Sequence, residues 1–120
     1  YITPEGKCTP NHLLTRPATP ARTYAYCSDT AYLPEIIPYI RQVDLLYHEA
    51  TFKDADAARA HETFHSTAKE AATIARDAEV KRLLIGHYSA RYEDPLPLKQ
   101  EAVKIFPETT LAKEGMKINL

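Results

Sequence analysis

A chain of 120 residues, 44% hydrophobic and 26% charged, has the composition of an ordinary globular protein and can build a single domain with a modest core. Its net charge of −1 excludes a general basic field for nucleic acid, so an RNA partner has to be held by a local patch or by another part of the molecule. No apolar run approaches the roughly 20 residues that span a bilayer, which argues against a membrane role.

The opening YITPEGK lacks an initiator Met and the apolar core of a signal peptide, so a fragment of a longer chain is expected. Residues 1–22 carry Pro4, Pro10, Pro17 and Pro20 without periodicity, the composition of an extended connecting segment. A folded layer over residues 23–120 follows from there. Thr23 to Ser28 alternates Tyr24 and Tyr26 with Ala25 and Cys27 and predicts a strand that ends at Asp29. Cys8 and Cys27 share no CxxC spacing and are expected as free thiols in a reducing, cytoplasmic compartment. Leu33 to Ile40 predicts a short helix limited by Pro38. Val43 to Tyr47 predicts a second strand that delivers His48 and Glu49. Asp54 to Glu62 is alanine-rich and helix-prone but weakly anchored, which fits a mobile lid or a solvated helix.

Thr67 to Ala78 is the strongest helix pattern. Thr67 and Glu70 have capping-box spacing, and Ala71, Ile74, Ala75 and Ala78 form one apolar stripe. His65 and Ser66 precede this start, where an anion such as phosphate is favoured. Arg82 to Ile85 predicts a third strand, closed by Gly86 and His87. A last helix runs from Asp94 past Leu98, Ala102 and Ile105 to Phe106. Thr109–Ala112 and Met116–Leu120 flank Lys113-Glu114-Gly115 as a terminal hairpin. The alternation of strands and helices indicates an α/β layer.

Three strand ends therefore deliver metal- or proton-competent side chains to the edge where open α/β sheets bind ligands. Asp29 and His87 offer the oxygen and imidazole donors of a zinc site, and a carboxylate can bridge two ions. Taken singly, such residues are commonly a turn former and a hydrogen-bonded histidine. Glu49 and His65 form a second pair, in which a carboxylate orients an imidazole for acid–base work near neutral pH. Arg91 could fork onto a phosphate oxygen. His12 and His61 have no evident partner and read as surface residues.

Four stretches together resemble the ribonuclease Z family, tRNA 3′-processing endonucleases of the metallo-β-lactamase superfamily. They are CSDTAY (Cys27–Tyr32), LLYHEATF (Leu45–Phe52), FHST (Phe64–Thr67) and LLIGHYSARY (Leu83–Tyr92). Their order and spacing match the family's C-terminal half, which implies an α/β architecture: half of an αββα fold, one sheet layer with helices. The resemblance further implies that Asp29 is the carboxylate bridging two zinc ions and His87 the last histidine ligand. It makes His65 the residue that touches the scissile phosphate and protonates the leaving 3′ oxygen, with Glu49 supporting it. Ser66 and Thr67 of the same segment, with Arg91, are then substrate-contacting candidates.

The family's upstream His-x-His-x-Asp-His run, a further histidine ligand and its tRNA-gripping arm do not occur in these residues. The implied protein is a zinc-dependent endoribonuclease on precursor tRNA, homodimeric, with two zinc ions per complete site. The remaining ligands belong to an N-terminal half, so these residues alone are expected to be inactive. The rival expectations are a non-catalytic packing or dimerisation fragment and a related metal-dependent phosphodiesterase.

Overall fold

The computed structural model describes residues 1–120. Four strands, β1 (Tyr24–Cys27), β2 (Leu45–Glu49), β3 (Leu83–Gly86) and β4 (Thr109–Leu111), form one sheet in the order β1-β2-β3-β4. Every neighbouring pair is parallel. The central strands are buried on both faces, which explains why LLYHE and LLIG read as continuous runs. Because all four strands run in the same direction, Asp29, Glu49 and His87 arrive at one edge. The expected α/β layer is what forms.

One face of the sheet carries the core. Helix α4 (Ala68–Asp77) and helix α5 (Leu96–Val103) pack there. Ala68, Ala71, Ala72, Ala75 and Ala78 are fully buried; such small side chains let α4 lie close to the strands. Ile74, Leu98 and Ala102 interdigitate with Leu46, Leu83 and Ile85. The capping box is present as the spacing predicts: Thr67 Oγ1 accepts from Glu70 N at 3.2 Å, and Glu70 Oε2 accepts from Thr67 N at 2.8 Å. Helix α5 starts two residues later than expected, with the Asp94 carboxylate accepting the Leu96 N–H at 2.8 Å.

At the sheet's amino edge a carboxylate that belongs to none of the four motifs does the tying. Asp44 accepts from Thr23 N (2.8 Å), Thr23 Oγ1 (3.0 Å) and Lys81 Nζ (2.7 Å), so it joins the starts of β1, β2 and β3. The Lys81 and Thr23 hydrogen bonds hold its pKa well below the usual carboxylate range.

Several local expectations change. The region 33–40 is a 3₁₀ turn, Pro34–Ile36, followed by one helical turn, α2 (Ile37–Ile40). The terminal hairpin does not form: β4 pairs parallel with β3, and residues 112–120 turn at Gly115 without entering the sheet. Their alternating apolar side chains cover the sheet's other face instead. There Met116, Ile118 and Leu120 line a hollow of about 260 Å³ with Tyr24, Leu45 and Leu84. Tyr26 stacks on Tyr47 at 4.6 Å on the same face and stays 63% exposed. Residues 1–22 hold a small antiparallel turn, bridging Ile2 to Cys8, and one helical turn, α1 (Asn11–Leu14). Nearly all of this segment is exposed, and with extents of 75 × 30 × 22 Å it stands away from the core. Cys8 and Cys27 are free thiols. No helix is long and apolar enough to cross a membrane.

His48 does not reach the strand-edge site. Strand alternation turns it into the core face, where its Nδ1 donates to the Glu49 carbonyl at 2.8 Å and its Nε2 has no partner. Burial depresses its pKa, and the Glu49 carbonyl bond and the charges of Glu49 and Glu70 restore only part of that. The unfolded chain takes up this proton near about pH 6.5, before the folded protein does. The His48 contribution to stability is therefore complete above that pH and is lost as the pH falls below it. Urea denaturation at pH 7.5, 6.5 and 5.5 should show stability dropping with acid, and His48→Asn should flatten that slope. An unchanged slope in the variant would remove His48 as its cause.

Candidate metal centre

The site is built on Glu49, the last residue of β2. Its carboxylate is fully buried. It accepts from Thr30 N at 2.6 Å, Thr51 Oγ1 at 2.6 Å, Ser66 N at 3.0 Å and His65 Nδ1 at 3.0 Å. Burial alone pushes its pKa up. The Thr51, Ser66, His65 and Thr30 donors outweigh that and leave it below the usual value, so the group is an anion at neutral pH.

These donors fix His65 and His87 and hold the backbone next to Asp29. Asp29 lies beside Thr30, whose N–H is held by Glu49 and whose carbonyl accepts from Ser66 Oγ at 2.7 Å. His65 is held directly. His87 is held through Thr51, whose hydroxyl lies 3.0 Å from His87 Nδ1. A hydroxyl has one proton, and Thr51 gives it to the Glu49 carboxylate. His87 Nδ1 must then be the donor to Thr51, and its Nε2 carries the free lone pair. The same reasoning leaves the lone pair of His65 on Nε2, because Nδ1 donates to Glu49.

Asp29, His65 and His87 offer ligand atoms that all lie within 4.8 Å of one another. His87 Nε2 is 3.4 Å from Asp29 Oδ1, and the two imidazole rings are 5.2 Å apart. One carboxylate oxygen and two imidazole nitrogens with free lone pairs suit a divalent metal with borderline preferences. The residues present fit such an ion, and both histidines are oriented from behind by a hydrogen bond at Nδ1.

The backbone is strained where these residues stand. Asp29 (φ 50°) and His87 (φ 61°) both take the left-handed conformation, as does Phe64 (φ 58°) just before His65. Each costs about 1–2 kcal/mol. Glycine does not relieve the turn after β3, because Gly86 serves packing: a Cβ there would lie 2.5 Å from Tyr47 Oη. His87 takes the positive φ in its place.

The remaining candidates sit further back. Ser66 and Thr67 are buried. Ser66 spends its N–H on Glu49 and its hydroxyl on Thr30, and Thr67 spends both groups in the capping box. Ser66 has no donor left for an anion, and the Thr67 hydroxyl is buried at the helix start, so their observed work is to fix the segment carrying His65. Arg91 forms an ion pair with Asp56 at 3.3 Å, and its guanidinium lies 5.2 Å from the Phe52 ring, which in turn tilts against His65. The expected lid is a 3₁₀ turn, Asp54–Asp56, leading into α3 (Ala57–Glu62). It is anchored: Tyr92 donates to Asp56, Asp54 N donates to Glu101 at 2.9 Å, and Ala60 is fully buried. His61 has a partner after all, with Nε2 2.8 Å from Glu70 Oε1; His12 is exposed.

Motif reading missed Thr51 and Thr30. Thr51 also donates its N–H to Ser66 O and accepts from Ser89 N, both at 3.0 Å, so it links the segments that carry His65 and His87. The one available signal was its place directly after Glu49-Ala50, where the chain leaves a buried strand. Thr51→Val removes the hydroxyl at constant volume, and metal affinity should fall by about 10–100-fold, with Thr51→Ser recovering most of it. Metal titration against a chromophoric chelator measures this, and an unchanged affinity in the valine variant would refute the bridge.

Comparison with known proteins agrees with the geometry. Residues 14–88 match the model of the beta-lactamase superfamily domain. A ribonuclease Z from Parabacteroides distasonis is 66% identical over all 120 residues, and the chain spans 40% of that relative's length. The metallo-beta-lactamase fold protein YhfI from Bacillus subtilis superposes with a TM-score of 0.74 at 29% identity, covering 80% of this chain and 39% of that one. The short form of human tRNase Z superposes with a TM-score of 0.55 at 37% identity, covering 69% of this chain and 27% of that one. The resemblance carried by the four motifs thus extends along the whole sequence, and the chain belongs to the beta-lactamase superfamily.

Proposed function

We propose that these residues form part of a zinc-dependent endoribonuclease that cleaves precursor tRNA and leaves a 3′-hydroxyl on the tRNA. The observation that carries this reading is the convergence of Asp29, His65 and His87 on one point, with both histidines oriented by the Glu49 network and Asp29 next to Thr30, whose N–H Glu49 holds. The 66% identity to a ribonuclease Z over the full 120 residues supports the RNA substrate. Since the chain spans 40% of that relative's length, the activity is assigned to the full-length protein, whose N-terminal half supplies the remaining ligands.

Asp29 and His87 would hold zinc, Asp29 as the bridge between two ions. Bound zinc would supply Lewis acidity at the phosphate and acidify the attacking water. The chain's own residues do the rest. His65 presents Nε2 to the site while its Nδ1–H is locked on Glu49, so the ring cannot rotate away. Protonated at Nε2, it gives that proton to the leaving 3′ oxygen, and the Glu49 carboxylate offsets the imidazolium charge before transfer. Ser66 and Thr67 keep this histidine in place. Arg91 exchanges its Asp56 partner for a phosphate oxygen of the substrate.

His65→Ala in the full-length protein should lower turnover by about 10²–10⁴-fold with zinc content near wild type. Metal analysis beside a precursor-tRNA cleavage assay decides this, and loss of zinc would make His65 a ligand. The protein also self-associates in this reading, in the cytoplasm, through surface that includes the half-exposed Tyr24 and the exposed Tyr26. Sedimentation should show dimers, and a monomer at high concentration would count against it.

A further inference from the structure

Helix α3 closes in a way that its sequence makes costly. The His65 N–H donates to the Ala60 carbonyl at 2.8 Å and the Phe64 N–H to the His61 carbonyl at 3.3 Å. These are the two hydrogen bonds of a Schellman close, and the residue just past the helix cap, Phe64, has φ 58°. Glycine suits that position because a Cβ crowds the backbone there. Phenylalanine accepts the strain and gains little packing within these residues, since it is 76% exposed.

The other strained residues have visible reasons. Asp29, Gln42, Phe64, Glu79 and His87 are the non-glycine residues with positive φ. Asp29 and His87 face the metal centre, and Gln42 and Glu79 hydrogen-bond to each other at 3.2 Å. Tyr39 is more exposed still, at 88%, but it stands in the right-handed turn of α2, where exposure involves no backbone strain. Phe64 alone combines a left-handed backbone with an exposed aromatic ring, directly before the histidine that closes the site.

We propose that Phe64 is a stacking platform for a nucleobase flanking the scissile phosphate. This rests on the reading of His65 as the residue at that phosphate: with His65 on the phosphate, the preceding side chain reaches the neighbouring base. Unpaired bases offer a π face whatever their identity, and aromatic stacking grips them without reading sequence. Phe64 is a positioning residue here; it holds the nucleotide that His65 acts on.

The test uses the full-length zinc-loaded protein with Phe64→Gly and Phe64→Tyr. Phe64→Gly should raise the thermal midpoint, because the strain is relieved. It should also lower kcat/KM on a precursor tRNA by tenfold or more, chiefly through KM, and Phe64→Tyr should restore the rate. A fall in the midpoint would show the ring packed against the rest of the protein, and an unchanged kcat/KM would show that no base rests on it; either overturns the proposal. A single-stranded RNA carrying 2-aminopurine separates this idea from the functional reading. Quenching by the wild type but not by Phe64→Gly supports the stack even if precursor tRNA is not cleaved, a result that would overturn only the processing function. Equal quenching by both proteins overturns the stack.

Discussion

The Glu49 carboxylate is the group on which the site's geometry depends. Burying an ionised carboxylate costs several kcal/mol unless its lone pairs are filled, and here four donors fill them. The donors come from three different loops: Thr30 after β1, Thr51 after β2, and His65 with Ser66 before α4. One anion thus prescribes the relative positions of segments up to 36 residues apart. Orientation follows from hydrogen-bond direction. Because the carboxylate only accepts, each partner must turn a proton inward, and both imidazoles are left with their lone pairs facing outward.

A second carboxylate plays the matching part at the opposite edge. Asp44 joins the starts of β1, β2 and β3 through Thr23 and Lys81. β2 is thereby clamped at both ends, and its register with β1 and β3 is fixed by charge as well as by Leu46 in the core. Asp44 is tied by short links to neighbouring strand starts and leaves nothing over for chemistry. Glu49 is tied to loops whose other atoms remain free. The same kind of interaction makes a structural joint at one edge and a template for a reactive site at the other.

Much of this was legible in the sequence, and the rest failed for identifiable reasons. The strand–helix alternation, the Thr67–Glu70 cap and the apolar stripe of α4 follow from periodicity and local hydrogen bonding, and each is present. Asp29, Glu49, His65 and His87 could be picked out because strand ends in a parallel sheet share one edge. Thr51 and Asp44 escaped because their partners are distant in sequence, such as His87 for one and Lys81 for the other. His48 misled because an imidazole next to a strand end looks the same whether alternation turns it inward or outward. The hairpin expected at 109–120 failed because alternation of Met116, Ile118 and Leu120 specifies a covered face, and a strand is only one way to cover it.

The backbone strain shows which requirement prevailed. Asp29, Phe64 and His87 each stand where glycine would fold more easily, and the one glycine nearby, Gly86, is held by contact with Tyr47. A sequence selected for stability alone would place glycine at those turns and gain about 1–2 kcal/mol at each. Three of the five non-glycine residues with positive φ are Asp29, His87 and the neighbour of His65, at the point where Asp29, His65 and His87 converge. The surrounding network is what makes the strain tolerable: charge-assisted hydrogen bonds to Glu49 contribute roughly 1.5–3 kcal/mol apiece, enough to hold loops that local preference would release. Rigidity at this edge is therefore imposed by the buried anion on backbone that resists it, so the positions of His65 and His87 depend on Glu49 more than on the conformational preference of their own turns.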